Sequence, residues 1–317
     1  MVLGAPGLVL AGLAAYWDFA FHIRGLAGEG FLAPAHVALY VGYALVSVAT
    51  LGGIAADRAA TRSARPVEGA WGRVRPGLVI AAAGVATSAV AAPFDVAWHR
   101  VFGLDVTIWS PPHLMAIAGI ALAVLGLGLL VAPAAGDAAE DLDHMVLGGL
   151  LVALVLVTAE FEFARPPFHV AWHPIILTGA ATLVLTAATR IGRWHALKTA
   201  LVFQVFRLAS VGMLVAFGRA LPVVPVVLVA AIALDLLERR PRPTPLVAAV
   251  VTAAVIAPNL ALQPLLGGTR WDGSALLLGC FGAYAAAIVG VAGGRRLGDV
   301  MVGATTSAPA ASSPSPR

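Results

Sequence analysis

Cysteine is almost missing from this chain, since Cys280 is the only one among 317 residues. A single cysteine can form no internal disulfide, and it cannot supply the thiolate cluster of a zinc or iron–sulfur site. We therefore expect no disulfide framework. Any bound metal would have to be held by imidazole and carboxylate groups.

Charge is scarce as well. Only 11% of the residues are charged, 60% are hydrophobic, and the mean hydropathy is +0.92. This composition excludes a soluble globular domain and predicts an all-α, polytopic membrane helix bundle. A membrane-spanning helix needs about 20 mostly apolar residues. The chain has about ten such stretches, at 2–22, 34–55, 77–99, 111–132, 144–165, 167–189, 198–218, 221–237, 245–265 and 274–294.

The predicted spans divide into two portions and a tail. Residues 1–190 form a six-helix portion with three related helical hairpins, and residues 191–302 form a four-helix C-terminal membrane portion. Residues 303–317, "GATTSAPAASSPSPR", contain mainly Ser, Pro and Ala without apolar periodicity. We expect this tail to be disordered.

Basic residues indicate the orientation in the membrane. They concentrate in the segments 56–75, 190–198 and 238–243 and at Arg295 and Arg296, which all fall on one side if there are ten spans. The positive-inside rule then places both termini in the cytoplasm of a bacterial-type inner membrane. The loops at the opposite ends of the hairpins would be extracytoplasmic.

An acidic residue and two histidines that could bind a metal lie close together in residues 94–113, "FDVAWHRVFGLDVTIWSPPH". Asp95 and His99 are four residues apart, so they share one face of a helix with Cβ atoms about 5–6 Å apart. A short loop and Pro111 then start the next helix, which would return His113 to the same point. Ionisable groups inside membrane spans are rare and usually functional. The spacing therefore predicts a metal site of two imidazoles and one carboxylate.

The same intervals occur a second time, in residues 17–36, where Asp18, His22 and His36 take the three positions. With only 16 acidic residues and 8 histidines in the chain, two copies of this arrangement indicate an internal repeat. A third, altered hairpin lies at 159–174. We predict a third metal site there, formed by Glu162, with Glu160 behind it, and by His169 and His173.

Imidazole and carboxylate ligands suit copper, zinc, non-haem iron or manganese, and ligand type alone does not choose among these metals. Two imidazoles and one carboxylate leave coordination positions open for dioxygen or a small substrate. The alternatives for each cluster are a hydrogen-bonded polar contact between helices, haem ligation by paired histidines, and a proton relay.

Several of these residues also match a family signature. Asp95, Trp98 with His99, Asp105, and Pro111 with His113 resemble the motif in the C subunit of particulate methane and ammonia monooxygenases, over about residues 10–190. The resemblance implies that Asp95, His99 and His113 bind copper. It also implies a neighbouring site on the hairpin at 160–173. This hairpin lacks the family's Asn and its His spacing, and has Glu160, Glu162, His169 and His173 instead.

The sequence thus predicts an integral membrane metal-binding protein, with copper as the first choice and iron or zinc as alternatives. As an enzyme it would be a copper-dependent membrane monooxygenase, or a subunit of one, that activates dioxygen for a small apolar substrate. The alternatives are a non-enzymatic protein that handles copper or another metal, and a haem or quinone electron-transfer subunit. Expected partners are the lipid bilayer, other membrane subunits or further copies of the chain, but no nucleic acid.

Overall fold

The computed structural model describes residues 4–22, 32–62, 74–103, 107–131, 139–239 and 242–306. These residues are helical and contain no strand, which confirms the predicted all-α membrane fold. The helices are α1 (Gly4–His22), α2 (Pro34–Arg62), α3 (Pro76–Phe102), α4 (Pro111–Val131), α5 (Ala139–Val155), α6 (Ala159–Glu162), α7 (Trp172–Ile191), α8 (His195–Ala216), α9 (Leu228–Leu237), α10 (Thr244–Leu265) and α11 (Gly273–Thr306).

Helices α5 and α6 form one span, because a single 3₁₀ turn at Leu156–Thr158 joins them. Counted in this way, nine helices of the described chain are long and apolar enough to cross a membrane. The tenth, α9, has only ten residues.

The predicted eighth span, 221–237, is therefore helical only in its second half. Pro222 and Pro225 explain the difference, because proline lacks an N–H group and disfavours helical conformation in the residue before it. An unpaired peptide group costs several kcal/mol in hydrocarbon. Asn259 of α10 removes this cost at Val226: the Val226 N–H donates to Asn259 Oδ1 at 3.0 Å, and Asn259 Nδ2 donates to the Val226 carbonyl at 2.9 Å.

This broken segment still crosses the bundle beside α8. At its beginning, the Val223 N–H donates to the carbonyl of Glu162, the last residue of α6, at 2.9 Å. At its end, Asp235 accepts a hydrogen bond from the Leu197 N–H in the first turn of α8, at 2.9 Å. The non-helical half and α9 together therefore return the chain from one end of the bundle to the other.

The two predicted portions share one apolar core. It contains Leu147 of α5, Leu185 of α7, Phe203 of α8 and Val251 of α10, all fully buried. Helix α7 lies at its centre and packs along α11. Helix α8 packs along α5, so the C-terminal portion also contacts the span that carries Glu160 and Glu162.

Helices α1 to α4 form two tight hairpins, α1 with α2 and α3 with α4. Glycines allow the close approach: a Cβ atom on Gly84 would lie 2.5 Å from the Ala123 nitrogen and 2.5 Å from the Gly119 carbonyl oxygen. Gly7 and Gly42 meet in the same way between α1 and α2. By contrast α2 and α3 pack together much less closely, so space remains between the hairpins.

Candidate metal centre

The structure brings Asp95, His99 and His113 together at one end of the second hairpin. Asp95 and His99 lie on successive turns of α3, which ends at Gly103 with a positive φ of 84°. His113 lies in the first turn of α4. The Nε2 atoms of His99 and His113 are 3.4 and 3.5 Å from Asp95 Oδ1.

The outer nitrogens of both imidazoles already have partners. His113 Nδ1 is 2.8 Å from the Thr107 carbonyl oxygen and 2.8 Å from Ser110 Oγ, and His99 Nδ1 is 3.2 Å from the Gly103 carbonyl oxygen. Because a carbonyl oxygen can only accept, we assign the ring hydrogen to Nδ1 in each case. A neutral imidazole then presents its lone pair at Nε2, toward the Asp95 carboxylate.

A metal ion would satisfy two lone pairs and a carboxylate oxygen that face one point. The separations of 3.4 and 3.5 Å exceed the usual N–H···O range of about 2.7–3.2 Å. Two ligands that each lie about 2.1 Å from a tetrahedral metal ion are about 3.4 Å apart. The spacing at Asp95 is therefore compatible with that of metal ligands.

Asp18, His22 and His36 form a second cluster at the corresponding end of the first hairpin. Asp18 Oδ1 is 2.9 Å from His36 Nε2 and 3.6 Å from His22 Nε2. In each of the two clusters, one ligand atom from every member lies within 4.8 Å of the others. Both groups could therefore hold a metal ion.

The third predicted set, Glu162, His169 and His173, does not form such a cluster among the described residues. His169 is exposed, whereas His173 is fully buried and stacks on Phe161 with ring centroids 5.4 Å apart. The helix α7 begins only at Trp172, so His169 precedes it and the two histidines do not share a helical face.

Glu162 is bound instead by Arg207, which lies midway along α8. The guanidinium Nη2 donates to Glu162 Oε2, and both side chains are completely buried. Thr158 Oγ1 donates to the other carboxylate oxygen at 3.0 Å, and the Tyr16 ring lies 3.8 Å from the Arg207 guanidinium carbon. Arg207 required an anionic partner in the bilayer, and this ion pair provides one.

Glu160 contacts the loop of the second hairpin. Its Oε1 atom accepts a hydrogen bond from the Ile108 N–H at 2.7 Å. Ile108 follows Thr107, whose carbonyl contacts His113. Glu160 therefore fixes the loop that orients a candidate ligand, although it lies on another hairpin. Asp105, part of the family resemblance, lies outside the described residues.

Both clusters line one cavity of about 550 Å³ between the two hairpins. Tyr40 lines it too, and its ring centroid is 6.2 Å from that of His36. The sequence contained a signal for Tyr40, because it follows His36 by four residues and so shares its helical face. The cavity itself depends on how the hairpins pack against each other, which no local pattern shows.

The ligand types of both clusters, and the outer hydrogen bonds of His99 and His113, are those that metal sites use. They identify neither the metal nor a reaction. The resemblance to the C subunit of particulate monooxygenases stays a prediction, because no protein-family model, no curated protein and no solved structure matches this chain.

Proposed function

We propose that this chain is an integral membrane copper protein in which each Asp-His-His cluster binds one metal ion. One observation carries the proposal: the Nε2 atoms of His99 and His113 converge on Asp95 while their Nδ1 atoms contact backbone carbonyls. Outer contacts of this kind fix the tautomer of metal-binding histidines. The Nε2 atoms of His22 and His36 likewise converge on Asp18, which supports a duplicated hairpin unit.

Copper is the metal we propose because the donor set contains imidazole and carboxylate groups and no thiolate. Among divalent first-row metals, copper binds most tightly to such sites. The family resemblance supports the same choice. Iron and zinc are the alternatives that metal analysis has to separate.

For catalysis, we propose an oxygenase-like role. A copper ion with open coordination positions would supply dioxygen binding and activation. Asp95, His99 and His113 would hold this ion, while the Thr107 carbonyl and Ser110 orient His113. The apolar part of the cavity would receive the substrate beside the ligands. The basic segments at the opposite end of the bundle support an extracytoplasmic position for both clusters.

Metal handling without catalysis is a second candidate, because the two clusters line the same cavity. Their carboxylate and imidazole side chains are also partly exposed, by between 18 and 31%. An ion could therefore enter and move between two three-ligand sites. The two candidates differ in whether the copper-loaded protein consumes dioxygen in the presence of a reductant and a hydrophobic substrate. Consumption favours the oxygenase, and no consumption favours metal handling.

The test of metal binding is elemental analysis of the purified full chain and of matched variants. We expect about two copper ions per chain in the wild type, one per cluster. Replacing His99 and His113 with Ala should remove one ion, and replacing His22 and His36 should remove the other. His169→Ala is the control, because this exposed histidine belongs to neither cluster.

The proposal is contradicted if the wild type holds less than one copper, iron or zinc ion per chain and the cluster variants do not change that content. A Soret absorption band in the purified protein would instead support haem ligation. If the variant without His99 and His113 keeps its metal and His169→Ala loses metal, the metal site lies elsewhere.

A further inference from the structure

An apolar groove lies between α1, α4, α5 and α8, beside the metal cavity but outside it. Its volume is about 200 Å³, and its walls include Leu8, Val124 and Val152. Val9 and Met145 line it and are also 48% and 54% exposed at the surface of the bundle. Since the surface of these spans meets lipid, the groove opens to the bilayer.

A small cavity of about 80 Å³ lies between this groove and the metal cavity. Ile120 and Leu156 line both the small cavity and the groove. On its other side, Asp18, His22 and His113 line both the small cavity and the metal cavity. The three spaces therefore follow one another from the bilayer to the candidate ligands.

The sizes of these spaces point to a long ligand. The metal cavity of about 550 Å³ lies within the roughly 300–1,000 Å³ of pockets for drug-sized ligands. A water molecule has a share of only about 30 Å³ in the liquid, so dioxygen or a one-carbon molecule fills little of the cavity.

The polarity also changes along the path from the groove to the metal cavity. The groove is almost wholly apolar, whereas the metal cavity contains acidic, imidazole, phenol and hydroxyl groups.

We infer that the metal cavity binds a lipid-soluble amphiphile with a single aliphatic chain. Its polar end lies between the two clusters, and its chain passes between Ile120 and Leu156 into the groove. This inference rests on the proposed function, because the metal cavity is where the polar end is bound. The aliphatic part of the ligand gains no hydrophobic energy on leaving lipid. The fit of this aliphatic part to the groove therefore provides the selectivity among amphiphiles.

Photolabelling with two hexadecanol probes tests this path in the purified full chain. One probe carries its diazirine at the terminal carbon, and the other carries it beside the hydroxyl-bearing carbon. We expect the first probe to label groove residues such as Val124 and Val152, and the second to label Tyr40 and its neighbours. Excess unlabelled hexadecanol should suppress both signals.

Gly149→Leu is the variant that fills the groove. A Cβ atom at Gly149 meets only Val124 Cγ1, at 3.6 Å, so the backbone has room for a side chain. We expect about tenfold weaker labelling by both probes, with the copper content unchanged. Gly212→Leu is the matched control on the exposed face of α8, where an added Cβ atom meets nothing within 4 Å. Val9→Trp should block the groove from its exposed rim in the same way.

The inference would be overturned, even if copper binds, by labelling that spreads over exposed residues such as Phe281 and Val289. In that case neither Gly149→Leu nor Val9→Trp would weaken the labelling. Site-specific labelling of a chain without copper would instead support the amphiphile path and contradict the proposed metal function. The two failures are therefore distinguishable.

Discussion

The buried pair of Glu162 and Arg207 is the most consequential contact between single residues outside the two clusters. Both side chains are fully buried, and the Arg207 Nε and Nη1 atoms have no hydrogen-bond partner in the described structure. The pair joins α6 to α8 and so fixes the end of the span that also carries Glu160. Its contribution to stability comes mainly from the cost of leaving either charge alone.

We expect Arg207→Met to lower the free energy of unfolding by about 3–5 kcal/mol, because it leaves the Glu162 carboxylate buried without its cation. The double variant Glu162→Gln with Arg207→Met should recover most of this loss. Thermal and denaturant unfolding in detergent measure both effects. Equal destabilisation by the single and the double variant would show that packing, and not the uncompensated charge, dominates.

Among the helices, the close contact of α3 with α4 decides the geometry of the Asp95 cluster. Asp95 and His99 belong to α3 and His113 belongs to α4, so the separation of the two helices sets the distances among the ligands. Gly84 and Gly119 permit this separation because neither has a side chain.

A Gly84→Val substitution should force the two helices apart. Overpacking of this kind costs about 1–3 kcal/mol, and we expect the Asp95 cluster to lose its ion while the Asp18 cluster keeps one. Metal analysis and thermal unfolding of the same preparations measure both changes. Gly52→Val on α2 is the control, because a Cβ atom there meets nothing within 4 Å. Equal metal content in the two variants would contradict the prediction.

For the whole molecule, the orientation in the membrane determines from which side ions reach the clusters. The positive-inside rule predicts that the loop near Arg165 is extracytoplasmic and that the loop near Arg193 is cytoplasmic. Cys280 is the only cysteine, so its replacement with Ser gives a background without thiols for labelling.

In that background, Arg165→Cys should react with a membrane-impermeant maleimide on intact cells, because its side chain is exposed on the predicted outer side. Arg193→Cys, also exposed, should react only after the membrane is permeabilised. The opposite pattern would reverse the orientation, and the cysteine-free background shows any labelling that is not due to the introduced thiols.

Much of the fold was predictable because the bilayer imposes a strong local constraint. Long apolar runs must form helices there, since every peptide group has to be satisfied within the segment. The predicted eighth span shows the limit of this rule. Its first half is not helical because of Pro222 and Pro225, and Asn259, a residue of another helix, replaces the missing helical hydrogen bonds at Val226.

Which side chains meet in the two clusters was predictable from the sequence, because the interval of four residues and the short return to the next helix are local geometry. The partner of Glu162 was not predictable in this way, because Arg207 is 45 residues away and meets it only in the folded bundle. The packing of the hairpins likewise places both clusters on one cavity, adjacent to an apolar groove. Contacts between distant helices depend on the complementarity of whole surfaces, and spacing along one chain segment does not encode them.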